Sequence, residues 1–294
     1  MRAMRLQMVD EEPMADAVRE LDESDFALVV DFLSADPVRN VHLHGLVVDN
    51  GLENPANRGT FYGCFAGGEL TGVALLGHNI LVSGDDQARR KFADVAVTIG
   101  AKGHLVFGPA DEVEAIWERL SEGGRQTQVV RDQHWCVCEK PQLPLKRLQM
   151  RRAGPEELEA VATAQAEMIM EECGIDPRIA DPEGFHARVS KRVKKGRVWC
   201  RVEDGKVVFK ADLISVSPDA VYVEGVWTHP EYRGRGLAKS CLTELCYRLL
   251  RQYTYVCLFV EPGDEVAKHI YESVGFVHTM NYRSHYLQPL AASA

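Results

Sequence analysis

Between Val221 and Arg251 the chain passes from a strand-like run through a glycine-rich turn into an amphipathic helix, an order that constrains the fold more than any other stretch. Val221, Val223, Gly225 and Trp227 alternate with Tyr222, Glu224, Val226 and Thr228. That period of two belongs to extended backbone, so one face is expected to be apolar and the other to carry polar chemistry. Pro230 follows His229, lacks an amide donor and ends the ladder. Beyond Arg233-Gly234-Arg235-Gly236, the residues Leu237, Cys241, Leu242, Leu245, Cys246 and Leu249 recur at helical spacing. Nothing in residues 233–236 is a Ser, Thr, Asp or Asn that would cap this helix. Its first amides are therefore expected to be orphaned at the positive end of the helix dipole, where Gly234 and Gly236 allow a bulky anion to approach the backbone. Arg233 and Arg235 add positive charge there, or are simply solvated; an ordinary strand-turn-helix is the plainer reading of the same residues.

Read as a motif, the turn resembles the signature of the GNAT acyltransferases: Arg or Gln, two residues, Gly, one residue, then Gly or Ala. Arg233, Gly236 and Ala238 stand at those positions. The resemblance implies acetyl-CoA as co-substrate, with its pyrophosphate on Arg233, Gly234, Arg235, Gly236, Leu237, Ala238 and Lys239. It further implies that the pantetheine arm lies along the backbone of Val226, Trp227 and Thr228. A second mark of the family, a helical Tyr followed shortly by Gly-Phe, is supplied by Tyr271 and Gly275-Phe276 after a strand at Tyr255–Val260. After that strand, where the family often has Asn, this chain carries Glu261 and Asp264. The fold implied is an α/β structure on a mixed sheet.

The length of 294 residues suggests about two domains. No apolar run approaches the 18 or so residues of a membrane span, and Asp10, Glu11 and Glu12 interrupt the N-terminal region, so a cytoplasmic protein without membrane partners is expected. The eight cysteines form no CxxC pair and read as buried reduced thiols, with no metal. Residues 1–145 carry net charge −10 and residues 146–294 net +1. An acidic first half disfavours nucleic acid and suits a cationic partner, although solvated surface charge explains the bias equally.

The two halves repeat an order. Helical segments near Ser24 to Leu33 and Val38 to Val48 precede a hairpin from Phe61 to Leu76 turning at Gly67-Gly68. Helical Glu156 to Glu172 and Pro182 to Val193 precede a hairpin from Val198 to Ile214 turning at Asp204-Gly205. Later, Pro109-Ala110-Asp111-Glu112-Val113 answers Pro262-Gly263-Asp264-Glu265-Val266, and His134-Trp135 answers His285-Tyr286. Two tandem copies of one GNAT-like domain are inferred, residues 1–145 and 146–294, joined by a linker around Pro141 to Lys146. The offset between copies grows from 137 residues at Gly68/Gly205 to 153 at Asp111/Asp264, so about sixteen residues are missing from the first copy where the second has its glycine turn. There the first copy offers Ser83-Gly84-Asp85-Asp86, whose carboxylates repel phosphate, and it places Glu118 where Tyr271 falls. It is expected to be a degenerate half that does not bind CoA and instead braces the active half or walls its cleft.

Acyl transfer to an amine needs a neutral nucleophile, a polarised thioester carbonyl and a proton for the departing thiolate. Glu224 is the candidate base, directly or through water, and is otherwise a hydrogen-bonded strand residue. Tyr271 resembles the family's general acid and is otherwise a packed aromatic. A backbone amide near Val226 is the economical carbonyl donor, and Tyr222 is a weaker acid or base on the face of Glu224. His229 reads as a turn residue more than a base. Glu167, Glu171 and Glu172 could greet a cationic amine, and Lys191, Arg192, Lys194, Lys195 and Arg197 could meet the adenosine phosphate; solvated faces account for both groups. The expectation is an N-acetyltransferase acting on an amine-bearing small molecule or protein in a ternary complex, compatible with a homodimer. A non-catalytic acetyl-CoA sensor or scaffold is the rival reading, and a longer acyl donor is a third.

Overall fold

The computed structural model describes residues 17–100 and 103–289; Asp10, Glu11 and Glu12 lie outside them. The first half contains β1 (Ala17–Glu20), α1 (Phe26–Ser34), α2 (Val41–Asn50), β2 (Gly59–Ala66), β3 (Glu69–Gly77), β4 (Asn79–Gly84), α3 (Asp86–Thr98), β5 (Leu105–Pro109), α4 (Ala110–Glu122) and β6 (Thr127–Cys138). The second contains β7 (Arg151–Arg152), α5 (Leu158–Cys173), α6 (Pro177–Ala180), α7 (Pro182–Lys194), β8 (Val198–Glu203), β9 (Lys206–Val216), β10 (Ala220–Thr228), α8 (Leu237–Leu249), β11 (Tyr255–Val260), α9 (Glu265–Val274) and β12 (Val277–Leu287). Apart from the short α6, the second half repeats the order of the first. Both hairpin turns follow from backbone chemistry. Gly67 and Gly68, and Asp204 and Gly205, all adopt positive φ, the paired left-handed geometry that a two-residue hairpin needs to match strand twist.

The compact units interleave these halves. One comprises the described parts of Met1–Leu33, Asp49–Arg131 and Arg283–Ala294; the other comprises Ser34–Val48 and Asp132–Tyr282. In the first unit the strands run β1-β2-β3-β4-β5 and then the end of β12, where Leu287 N–H donates to His104 O at 2.8 Å. Phe92, Ile116, Ile80, Val106 and Leu287 form its core beneath α3 and α4. In the second unit the strands run β6-β11-β10-β9-β8-β7, with β6 antiparallel to β11 from Cys138↔Val256 to His134↔Val260. The last strand of each half thus completes the other unit, which is why the expected break at 145/146 does not coincide with the boundary between compact units.

Within the second unit, one face of the sheet buries Phe209, Ala211, Val221, Val223 and Leu258 against Leu242 and Leu245 of α8. The other face buries Cys200 and Val207 against Val161 and Ala166 of α5 and Phe185 and Val189 of α7. Helix α2, from the first half of the sequence, also packs here. Gly45 permits the approach, since a Cβ on it would lie 2.0 Å from Ser215 Oγ, and that hydroxyl donates to Val41 O at 2.7 Å.

All eight cysteines are free and seven are buried; Cys173 is exposed. Among the described residues no helix is long and apolar enough to cross a membrane, and no three His, Cys, Asp or Glu side chains gather as metal ligands.

Candidate active site

Strand β10 is irregular on both edges. Its parallel register with β11 holds only from Ala220↔Tyr255 to Tyr222↔Cys257, although the strands continue to Thr228 and Val260. Beyond Tyr222 the pair parts and leaves a wedge. On the other edge Glu224 opposes Asp212 and Trp227 opposes Lys210, so three steps on β10 face two on β9, the signature of a β-bulge. Gly225 absorbs it with φ +60°, a conformation costly for any residue with a Cβ. The bulge also corrects the expected alternation. Val226 packs with the core of Val221 and Val223, whereas Trp227 joins the opposite core under α5 and α7.

Glu224 is exposed at the bulge, and the buried Tyr222 hydroxyl donates to its Oε2 at 2.9 Å. Burial raises the Tyr222 pKa well above its ordinary value, with the Glu224 charge adding to the shift, so the phenol stays protonated and orients the carboxylate. The Tyr222 ring meets His42 of α2 at 4.8 Å, Phe259 of β11 at 5.2 Å and Trp135 of β6 at 5.3 Å between centroids. Enclosed by these rings, the His42 imidazole is desolvated and its pKa falls to about 3, so it is neutral at physiological pH. Tyr271 of α9 lies at the margin of the core shared by Val221 and Val223, its ring 6.0 Å from that of Phe276. Burial, reinforced by the charges of Asp264 and Glu172, raises its pKa and holds its proton.

The turn into α8 has the geometry of an anion cradle. Gly234 and Gly236 both have φ +73°, with nothing within 4 Å of where a Cβ would stand. Gly236 is the N-cap, and it gives the first amides of α8 no side-chain cap. Leu237, Ala238 and Lys239 form its first turn, and Lys239 Nζ lies 2.9 Å from His269 Nε2 on α9. Arg235 is exposed, but Arg233 is tied down: its Nε donates to Thr228 O at 2.9 Å and its Nη2 pairs with Glu171 at 2.7 Å. Glu171, read from sequence as a solvated helix residue that could greet an amine, instead pairs with the loop and ties it to α5. His229 Nδ1 accepts from Glu231 N–H at 3.3 Å, capping the short turn after β10, and Asp264 caps α9 by accepting from Ala267 N–H at 2.9 Å.

The sequence reading missed Lys210, Asp212 and Arg192 as a group. Lys210 is fully buried; its ammonium donates to Gly225 O at 3.0 Å and pairs with Asp212 at 3.2 Å, and Asp212 lies 3.5 Å from Arg192 Nη1. Desolvation lowers the Lys210 pKa, and the Asp212 charge opposes that shift. A Lys and an Asp two apart in an otherwise apolar strand, Val207-Val208-Phe209-Lys210-Ala211-Asp212-Leu213, was the available signal. His42 was missed because it comes from a distant part of the chain.

A family model described as GNAT acetyltransferase matches residues 71–285, more than half of the chain. The chain belongs to that family. It is therefore an acyltransferase, as the turn at Arg233–Ala238 and the Tyr271 mark suggested. Among solved structures it is similar to a GCN5-related N-acetyltransferase from Sphaerobacter thermophilus, at TM-score 0.60 and 15% identity over 96% of this chain and 98% of that one. A GNAT-family acetyltransferase from Colwellia psychrerythraea aligns at TM-score 0.59 and 14% identity over 92% of this chain and 100% of the other. A tandem GNAT protein from the clavulanic acid biosynthesis pathway aligns at TM-score 0.58 and 14% identity, covering 95% and 99%. At these identities the likeness is one of fold, and it spans both repeats. No curated protein matches the sequence.

The two GNAT-like halves differ at their equivalent helix starts. β4 and β5 pair only at Asn79↔Leu105 and Ile80↔Val106, so they too part early. Yet β4 passes through Gly84 and Asp85 directly into α3, and the Asp85 carboxylate accepts from Ala88 N–H at 2.8 Å. An acidic side chain occupies the place that α8 leaves open.

Proposed function

We propose that this GNAT protein transfers an acetyl group from acetyl-CoA to an amine by direct attack in a ternary complex. The observation that carries the reading is the coincidence of a parted, bulged β10 with an uncapped helix start at the end of the same strand. In this reading the pyrophosphate lies on the amides of Gly234 to Lys239, with Arg235 beside it and Arg233 holding the loop through Glu171 and Thr228. The pantetheine arm extends along Val226, Trp227 and Thr228 in the wedge. Val226 N–H donates to the thioester oxygen, which gains charge as the tetrahedral intermediate forms. Glu224, held by Tyr222, accepts the proton of the attacking amine, directly or through water. Tyr271, kept protonated by burial, donates to the sulfur as the C–S bond breaks.

The first half acts as a silent repeat. Its α3 amides are capped by Asp85, which supports the absence of a second CoA site, and it contributes α2 and most of β6 to the active unit, with His42 and Trp135 in the aromatic cluster around Tyr222. The exposed Glu224 carboxylate, held by the Tyr222 hydroxyl, is the group an incoming amine would meet.

Titration calorimetry with CoA should give one site per chain, and a panel of amines, polyamines and peptides with acetyl-CoA should identify at least one acetylated product. No heat with CoA would overturn the cradle. Binding without turnover on any amine would favour the non-catalytic sensor.

A further inference from the structure

We propose that Lys210 is a positioning residue for acyl transfer: its buried ammonium, anchored by Asp212, fixes the Gly225–Val226 peptide so that Val226 N–H faces the thioester. The inference rests on the acyl-transfer reading of this site and assigns a role to a residue outside the cradle.

The geometry requires three steps. A trans peptide directs the C=O of one residue and the N–H of the next to opposite sides. Lys210 Nζ draws Gly225 O to its own side at 3.0 Å, so Val226 N–H points away from it. Phe209 and Ala211 enter the core under α8, and by strand alternation Lys210 and Asp212 project from the opposite face. Val226 N–H is thereby turned toward the side where Tyr271 packs, so the donor to the carbonyl and the donor to the sulfur converge on one thioester.

The Lys210 contact is close because Gly225 makes room for it. A Cβ on Gly225 would stand 3.0 Å from Lys210 Nζ and 3.4 Å from Asp212 Oδ2. Without a hydrogen-bonded ladder on either edge, a bulge peptide has freedom to rotate. Buried ion pairs contribute little net stability, because desolvation offsets their attraction. A fully buried ammonium whose carbonyl partner lies in the bulge is explained better by orientation of that peptide than by stability. A preorganised donor removes reorganisation from the chemical step, and its benefit appears in kcat rather than in ground-state affinity.

The test compares wild type with Lys210→Met, which leaves the Asp212–Arg192 pair intact, and with Asp212→Asn, which keeps the ammonium but loosens its anchor at constant volume. Each is crystallised with acetyl-CoA, titrated with CoA and assayed on the best amine of the panel. In wild type Val226 N should lie about 3 Å from the thioester oxygen. In Lys210→Met that peptide should rotate and kcat should fall about 100-fold, with the KM for acetyl-CoA and the CoA affinity within about threefold. Asp212→Asn should show a smaller kcat loss of the same kind, and it carries the test alone if Lys210→Met does not fold. A folded variant with an unmoved peptide, an unchanged kcat, or a loss confined to KM overturns the role of Lys210. A wild-type complex with the thioester away from Val226 overturns the acyl-transfer geometry itself, a separate and recognisable failure.

Discussion

At the scale of single residues, the site divides its work among groups that burial tunes differently. Tyr271 and Tyr222 are both desolvated and hold their protons, but in the proposed mechanism one donates to sulfur, whereas the other hydrogen-bonds Glu224. Tyr271→Phe and Glu224→Gln should therefore each lower kcat by about 100-fold or more and leave CoA affinity within about twofold, read by steady-state kinetics beside calorimetry. His42 gives a second residue-scale prediction. In the unfolded chain its imidazole protonates near 6.5, whereas in the folded chain it resists until about 3. Between those values the unfolded state binds more protons, so stability is present above the window and is lost as pH falls through it. Denaturant midpoints measured from pH 7 to pH 4.5 should decline, and His42→Phe should flatten part of that decline; an unchanged slope would place the acid sensitivity elsewhere.

At the scale of elements, much of the active unit was legible. The strand at Tyr255–Val260 falls where it was expected, and the hairpins turn at the expected glycines because a turn with positive φ at both central residues matches the twist of the flanking strands. The uncapped start of α8 was likewise readable from the absence of any short polar side chain before Leu237. The bulge was not, because period-two alternation carries no mark of where one extra residue slips in, and Gly225 alone signals many things. Nor could spacing show that Arg233 would pair with Glu171, a partner 62 residues away. The contrast between the two helix starts can be tested by exchanging their chemistry. Gly236→Asp supplies a carboxylate at a position whose φ of +73° Asp tolerates better than most residues, and it should weaken CoA binding at least tenfold while the fold persists. Asp85→Ala should cost about 1 kcal/mol of stability through the lost cap and create no second CoA site. A second binding event in that variant would show that capping is not what silences the first half.

At the scale of the whole molecule, sequence repetition and physical compactness follow different boundaries. The repeat is real in element order, yet β6 closes against β11 and the end of β12 runs beside β5, so neither half of the sequence contains a complete sheet of its own. Residues 146–294 alone would present β11 with an unpaired edge and would lose α2 and the turn before it, with the Val41 carbonyl that Ser215 bonds at 2.7 Å and the Arg39 carbonyl that Tyr282 bonds at 3.1 Å. Exposed strand edges invite aggregation, and orphaned buried hydrogen-bonding groups each cost about 1–3 kcal/mol. Expressed separately, residues 1–145 and 146–294 should each be poorly soluble or lack a cooperative thermal transition, whereas co-expression should yield a one-to-one complex that binds CoA. If 146–294 alone melted cooperatively and bound CoA like the full chain, the exchanged strands would be dispensable. The first half would then be an appendage rather than a structural part of the enzyme.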